Sequence, residues 1–194
     1  RRVADGGVDV HRVAVEGAGD GFEGLLHERP GRGVVRQVDT ADDVFRAQLE
    51  LNLTSAFQGC KAAAKRMGPG GAIVNISSGA GLRGSPFTGP YAAAKAGMNN
   101  LTETLALELA PNIRVNTVAP GPVATEAFEE VLNTAGQDES IAATIPLGRL
   151  GTPDDIAAAV LYLASDAASW VTGQLILVAG GRTQRTHTYQ PRTT

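Results

Sequence analysis

Three short apolar runs, Ala72 to Ser77, Ile113 to Val118 and Leu175 to Val178, constrain the fold of this chain more than any other feature. Each has the length of a strand and lacks the polar alternation of a half-exposed one. Such runs are buried on both faces, as in a parallel sheet whose crossovers are helices. The segments around them carry helical spacing. Thr40-Ala41-Asp42-Asp43 reads as a helix start, with Thr40 as the cap and acids in the first turn, where they suit the helix dipole. The helix it opens, roughly 41–67, places Leu49, Leu53 and Phe57 on successive turns and closes at Gly68-Pro69-Gly70-Gly71. A glycine- and proline-rich loop follows over 79–90, then a second long helix from Tyr91 to Leu109. Thr152-Pro153-Asp154-Asp155 opens a third, with proline at the first position, where its missing N–H costs nothing. Strands alternating with such helices predict a three-layer α/β sandwich around a parallel sheet.

Chemistry concentrates on the second helix. In Tyr91-Ala92-Ala93-Ala94-Lys95 the phenol and the ammonium stand one turn apart on the same face. An ammonium beside a phenol favours the phenolate, so the pKa of Tyr91 is expected to fall from about 10 toward the range of a working acid or base. Ser78, thirteen residues before the tyrosine, comes off the end of a preceding strand and can hydrogen-bond the same reacting oxygen. The pentapeptide alone is also simply a good helix start. Its neighbours, Ile73-Val74-Asn75-Ile76-Ser77-Ser78-Gly79 before it and Val118-Ala119-Pro120-Gly121 after it, give it a chemical context.

With these motifs in this order, the chain from about Thr40 to Gly181 resembles the short-chain dehydrogenase/reductase family. The resemblance implies a Rossmann-like domain that uses NADP or NAD to move a hydride between nicotinamide and a ketone or secondary alcohol. It also implies the roles of individual residues. Tyr91 is the general acid or base, Ser78 orients the substrate oxygen, and Lys95 holds the cofactor ribose. Asn52, in Leu51-Asn52-Leu53-Thr54, holds a water that links Lys95 to solvent. Pro120, Gly121, Val123 and Thr125 border the nicotinamide or its phosphate. Residues 122–150 are where the family has a substrate lid, and Phe128, Val131, Leu132, Ile141 and Ile145 either cover an apolar substrate or serve in ordinary packing. Ala179 stands where the family usually has aspartate. The small residues Ala92, Ala93, Ala94, Ala96 and Gly97 imply a homodimer or homotetramer built on close helix pairing.

The first 39 residues diverge from the family, and two alignments compete. In one, His11 to Val15 is the first strand and Gly17-Ala18-Gly19-Asp20-Gly21 is the phosphate loop, with Gly17 and Gly21 binding cofactor. Glu23 then stands near the pyrophosphate, which is unfavourable and implies weak cofactor affinity. In the other, Val8-Asp9-Val10 and Ala18-Gly19 echo the family's later Asn-Asn-Ala-Gly strand end, and the sheet is incomplete on its N-terminal side. A catalytically silent member that oligomerises or binds partners is therefore the rival to an active enzyme.

Length and composition bound the rest. The 194 residues suffice for one domain, here 1–181, followed by a polar tail over 182–194. A net charge of −3 gives no reason to expect nucleic acid, and no apolar run is long enough for a membrane span. The single cysteine, Cys60, suits a cytoplasmic setting and reads as a small buried residue. His11, His27 and His187 lack metal-ligand spacing, so no metal is expected. No Gly-x-Ser-x-Gly elbow supports a hydrolase.

Overall fold

The computed structural model describes residues 12–16, 36–125 and 138–182. Four parallel strands, β1 (Arg12–Glu16), β2 (Gly71–Ile76), β3 (Ile113–Pro120) and β4 (Leu175–Val178), form one sheet in that order. The register sets Val13 opposite Ile73, Ile73 opposite Val115 and Val118 opposite Ile176. β1 falls one residue beyond the first strand expected from sequence at His11 to Val15.

Successive residues of a strand face opposite sides of the sheet, and the core divides accordingly. On one side Ile73 and Val115 pack with Cys60, Met67, Ala106 and Ile113. Helix α1 (Asp42–Leu49) leads toward α2 (Ser55–Ala64) and packs on α3 (Gly89–Leu109), and the cluster joins α2 and α3 to the sheet. On the other side Val74 and Val118 pack with Leu163 and Ala168, beneath α5 (Pro153–Ala164). A short helix, α4 (Asp138–Ala142), precedes α5. The predicted three layers are present. Among the described residues no helix is long and apolar enough to cross a membrane, and no group of three histidine, cysteine or acidic side chains could hold a metal ion.

Thr152 caps α5 as expected: its Oγ1 accepts from the Asp155 N–H at 3.3 Å, and the Asp155 carboxylate accepts from the Thr152 N–H at 2.8 Å. The guanidinium of Arg149 joins this box with bonds of 2.7 and 3.0 Å, and with the Thr152 amide it holds the Asp155 carboxyl well below the usual carboxylate range. The cap expected of Thr40 is not made. Ala41 occupies the N-cap of α1 without a side-chain bond, and the Thr40 hydroxyl faces the Arg36 carbonyl instead. Helix α3 starts at Gly89 rather than Tyr91, because Pro90 fits the first turn.

Two polar groups tie the layers together. A buried chain runs from the Cys60 thiol to the Asn75 carbonyl oxygen (3.2 Å), and from the Asn75 amide to the Thr102 hydroxyl (2.8 Å). Thr102 also accepts from Thr117 at 2.8 Å and donates to the Met98 carbonyl at 3.0 Å. Burial pushes the Cys60 thiol up, away from thiolate chemistry. On the opposite face the Arg114 guanidinium donates to the carbonyls of Leu163 (2.8 Å), Ser165 (3.1 Å) and Val171 (3.2 Å), closing the C-terminal end of α5. A hydrogen bond from a charged group is worth about 1.5–3 kcal/mol, and here the Ser165 carbonyl also accepts from the Ala168 N–H and the Val171 carbonyl from the Asn116 amide. Arg114→Met is therefore expected to lower stability by about 2–3 kcal/mol, read as a fall in the urea midpoint with the slope unchanged.

Candidate active site

The carboxyl ends of parallel strands are where ligands bind in open α/β sheets, and the chemistry-bearing residues gather there. Ser78 follows the end of β2 and caps a single 3₁₀ turn, Gly79–Leu82, accepting from the Ala80 N–H at 3.2 Å. That turn leads into α3, which carries Tyr91 in its first turn and Lys95 one turn on. The Tyr91 phenol is hydrogen-bonded to Ser78. Lys95 is only 4% exposed, and its ammonium donates to the Ile76 carbonyl at 2.9 Å and lies 5.6 Å from the centre of the Tyr91 ring. The three residues singled out from sequence thus share one site, held between the end of β2 and the start of α3.

The electrostatics differ from expectation in one respect. Burial pushes the Tyr91 phenol above its ordinary pKa, and the hydrogen bond with Ser78 pulls in the opposite direction. The lowering expected from Lys95 is corrected: desolvation of the half-buried phenol is the larger influence, and it favours the neutral form. At neutral pH Tyr91 carries its proton.

Asn52 lies in a π turn, Glu50–Thr54, that joins α1 to α2, and the wide turn shows in the Ser55 N–H bonded to the Glu50 carbonyl. Its amide donates to the backbone carbonyl (3.2 Å) and side-chain oxygen (3.0 Å) of Gln48. The residue is completely buried, yet its Oδ1 has no hydrogen-bond partner among the described residues. π turns recur at functional sites because they re-aim groups out of the regular ladder. The turn packs directly on α3, where a Cβ at Gly97 would lie 2.9 Å from Leu53 Cδ2. Nothing in the sequence announces the π turn; only the pattern of a continuous helix is legible there.

Pro120 and Gly121 end β3 beside this group. A Cβ added at Gly121 would lie 2.7 Å from Ala179 Cβ, so only glycine permits this approach of the β3 and β4 ends. Ala179 is thereby placed at the mouth of the sheet. Val123 is carried further along, into a parallel bridge with Gly151, and Thr125 is exposed at the edge of the described segment. Ile145 is 2% exposed and packs over Gly180, so it belongs to the core rather than to a cover for substrate. Gly17, Gly21 and Glu23, and the proposed lid residues Phe128, Val131 and Leu132, lie outside the described residues. Phe87, four residues before Tyr91, has a positive φ of 69° and a 58% exposed side chain. A bulky residue in that region is strained, a feature that gathers near functional sites. The residue that sequence reasoning overlooked is Asn99, which continues the Tyr91–Lys95 spacing by one more turn; that spacing was the available signal.

Residues 20–183 match the family model described as enoyl-(acyl carrier protein) reductase, and the chain belongs to the short-chain dehydrogenase/reductase family. It is 40% identical over 148 residues to L-rhamnose 1-dehydrogenase (NAD(P)(+)) of Azotobacter vinelandii, covering 74% of this chain and 58% of that one. It is 42% identical over 144 residues to 3-oxoacyl-(acyl-carrier-protein) reductase of Chlamydia trachomatis, covering 73% and 57%. Among solved structures it is similar to a short-chain dehydrogenase/reductase, glucose/ribitol dehydrogenase, from Brucella melitensis, with a TM-score of 0.71, 34% identity and coverage of 79% and 62%. The chain therefore spans little more than half the length of these curated relatives.

Proposed function

We propose that this chain provides the catalytic half of an NAD(P)-dependent oxidoreductase that interconverts a ketone and a secondary alcohol. The observation that carries this reading is the contact of Tyr91 with both Ser78 and the buried Lys95 at the carboxyl end of β2. The residues present fit the nicotinamide end of such a cofactor. The Lys95 ammonium lies beside the Tyr91 ring with one of its donors on the Ile76 carbonyl, and the absence of a Cβ at Gly121 lets the ends of β3 and β4 approach closely. When bound, the cofactor supplies or accepts the hydride. Tyr91 gives its proton to the substrate oxygen in reduction and takes it back in oxidation. Ser78 donates to the same oxygen as charge develops on it. Lys95 is assigned to the cofactor ribose, Asn52 with its open Oδ1 to a water relay, and Pro120, Gly121, Val123 and Thr125 to the border of the nicotinamide.

Dinucleotides sit where the strand order of a doubly wound sheet reverses. Among the described residues the order β1-β2-β3-β4 contains no reversal. This supports a switch point on the far side of β1, and with it the alignment in which Gly17 to Gly21 is not the pyrophosphate loop. Relatives whose names are those of a sugar dehydrogenase and an oxoacyl reductase support the reaction class, and NAD(P) in the first of those names leaves both cofactors open. The exposed Ala93, Ala96 and Leu107 of α3, and Trp170 at 99% exposure beyond α5, support a homodimer or homotetramer, and the single Cys60, buried and unpaired in a disulfide, is compatible with a cytoplasmic setting.

The raised pKa of Tyr91 fixes the expected pH dependence. Reduction uses the protonated phenol and should be flat with pH through neutrality. Oxidation uses the phenolate and should rise about tenfold per pH unit toward the phenol's pKa. An oxidation rate independent of pH between 6 and 9 (about the range in which the free residue would be neutral) would remove Tyr91 as the base. Titration with NADH and NADPH, followed by nicotinamide fluorescence, tests the cofactor assignment; weak but saturable binding is expected, and its absence for both would contradict it.

A further inference from the structure

Ser78 reaches Tyr91 from the N-cap of the short Gly79–Leu82 turn, whose first backbone bond runs from the Gly81 N–H to the Ser78 carbonyl at 3.0 Å. Something must hold that turn at a fixed height above α3. The Asn99 amide donates to the Gly81 carbonyl at 3.3 Å, from one helical turn beyond Lys95. The turn also lies directly on the helix backbone at that point. A Cβ at Gly81 would stand 2.8 Å from the Lys95 carbonyl carbon and 2.9 Å from the Ala96 nitrogen, closer than any side chain tolerates. On the strand side, the Ser77 hydroxyl donates to the Lys95 carbonyl at 3.3 Å. The other end of the Asn99 amide, Oδ1, is buried with no hydrogen-bond partner among the described residues, so the amide is retained at a cost that leucine at the same place would avoid.

We propose that Asn99 is a positioning residue that holds the Gly79–Leu82 turn on α3 and thereby sets the approach of Ser78 to Tyr91. The line of action runs from the Asn99 amide to the Gly81 carbonyl, through the Gly81 N–H to the Ser78 backbone, and from the Ser78 hydroxyl to the phenol. Asn99 touches neither substrate nor cofactor in this role. The inference rests on the catalytic reading of Ser78 and Tyr91 given above, but the contact it concerns exists without cofactor.

The test is a double-mutant cycle of Asn99→Leu and Ser78→Ala in the full chain. It is read by the Tyr91 Cζ carbon resonance at neutral pH in ring-labelled protein. The chain has three tyrosines, and Tyr91→Phe assigns the signal. Ser78→Ala is expected to move the resonance, Asn99→Leu to move it in the same direction, and the double variant to move it no further than Ser78→Ala alone. In turnover, Asn99→Leu should lower kcat about 10- to 100-fold by misplacing Ser78, with the cofactor KM unchanged and no effect in the Ser78→Ala background. Where leucine is not accommodated, Asn99→Ala carries the same comparison. A Tyr91 signal that Ser78→Ala moves and Asn99→Leu leaves in place would overturn the positioning role alone, as would additive effects in the double variant. A signal indifferent to Ser78→Ala would overturn the Ser78–Tyr91 contact as well.

Discussion

Tyr91→Phe is expected to reduce turnover by about 10²- to 10⁴-fold while the protein stays folded, the loss typical of removing a positioned acid–base group. The substitution deletes one oxygen from a half-buried ring and leaves the ring's packing against Lys95 in place. What disappears is the transferable proton and the partner of the Ser78 hydroxyl. Because burial already favours the neutral phenol, the variant removes no buried charge, and its stability should stay within about 1 kcal/mol of the parent. Initial rates beside a urea unfolding curve separate the two quantities. Near-normal turnover in a folded variant would take Tyr91 out of the mechanism.

Lys95→Met should bring the second largest loss, about 10²-fold in turnover, together with weaker binding of NAD(P)H. Methionine matches the reach of the lysine stem, so the packing of this 4% exposed side chain is largely kept. The Ile76 carbonyl loses its charged donor at 2.9 Å, and the phenolate of Tyr91 loses a neighbouring positive charge. With that charge gone the phenol's pKa moves further up, so the alkaline rise of the oxidation reaction should shift to higher pH. Fluorescence titration and the pH profile measure the two effects independently. An unchanged cofactor Kd with an unchanged profile would show that Lys95 serves the fold alone.

The layers and the Ser78–Tyr91–Lys95 group were legible in the sequence because each rests on short-range regularities. Leu175–Val178 is a strand with the predicted ends, and Thr152 to Asp155 forms the predicted cap. Tyr91 and Lys95 share a face because α-helical spacing allows nothing else. What escaped depends on backbone choices that leave little trace in side-chain pattern. The π turn around Asn52 inserts itself into a run that reads as uninterrupted helix. Thr40 has the chemistry of a cap, yet a 3₁₀ turn at Gln37–Asp39 delivers Ala41 to that position. The pKa direction of Tyr91 is not legible in the sequence, because spacing reveals a neighbouring ammonium but not how far the phenol is desolvated. Ile145 looked equally suited to a lid and to the core, and only its packing over Gly180 decides between them.

Transfer of deuterium tests the central claim most directly. The protein is incubated with a ketone and NADH or NADPH deuterated at the nicotinamide C4, and the alcohol is analysed by mass spectrometry and NMR. The account predicts one deuterium on the carbinol carbon, delivered by the parent protein and reduced in rate by Tyr91→Phe. Alcohol formed without deuterium on that carbon, or deuterium transfer at the parent rate in the Tyr91→Phe variant, would contradict it.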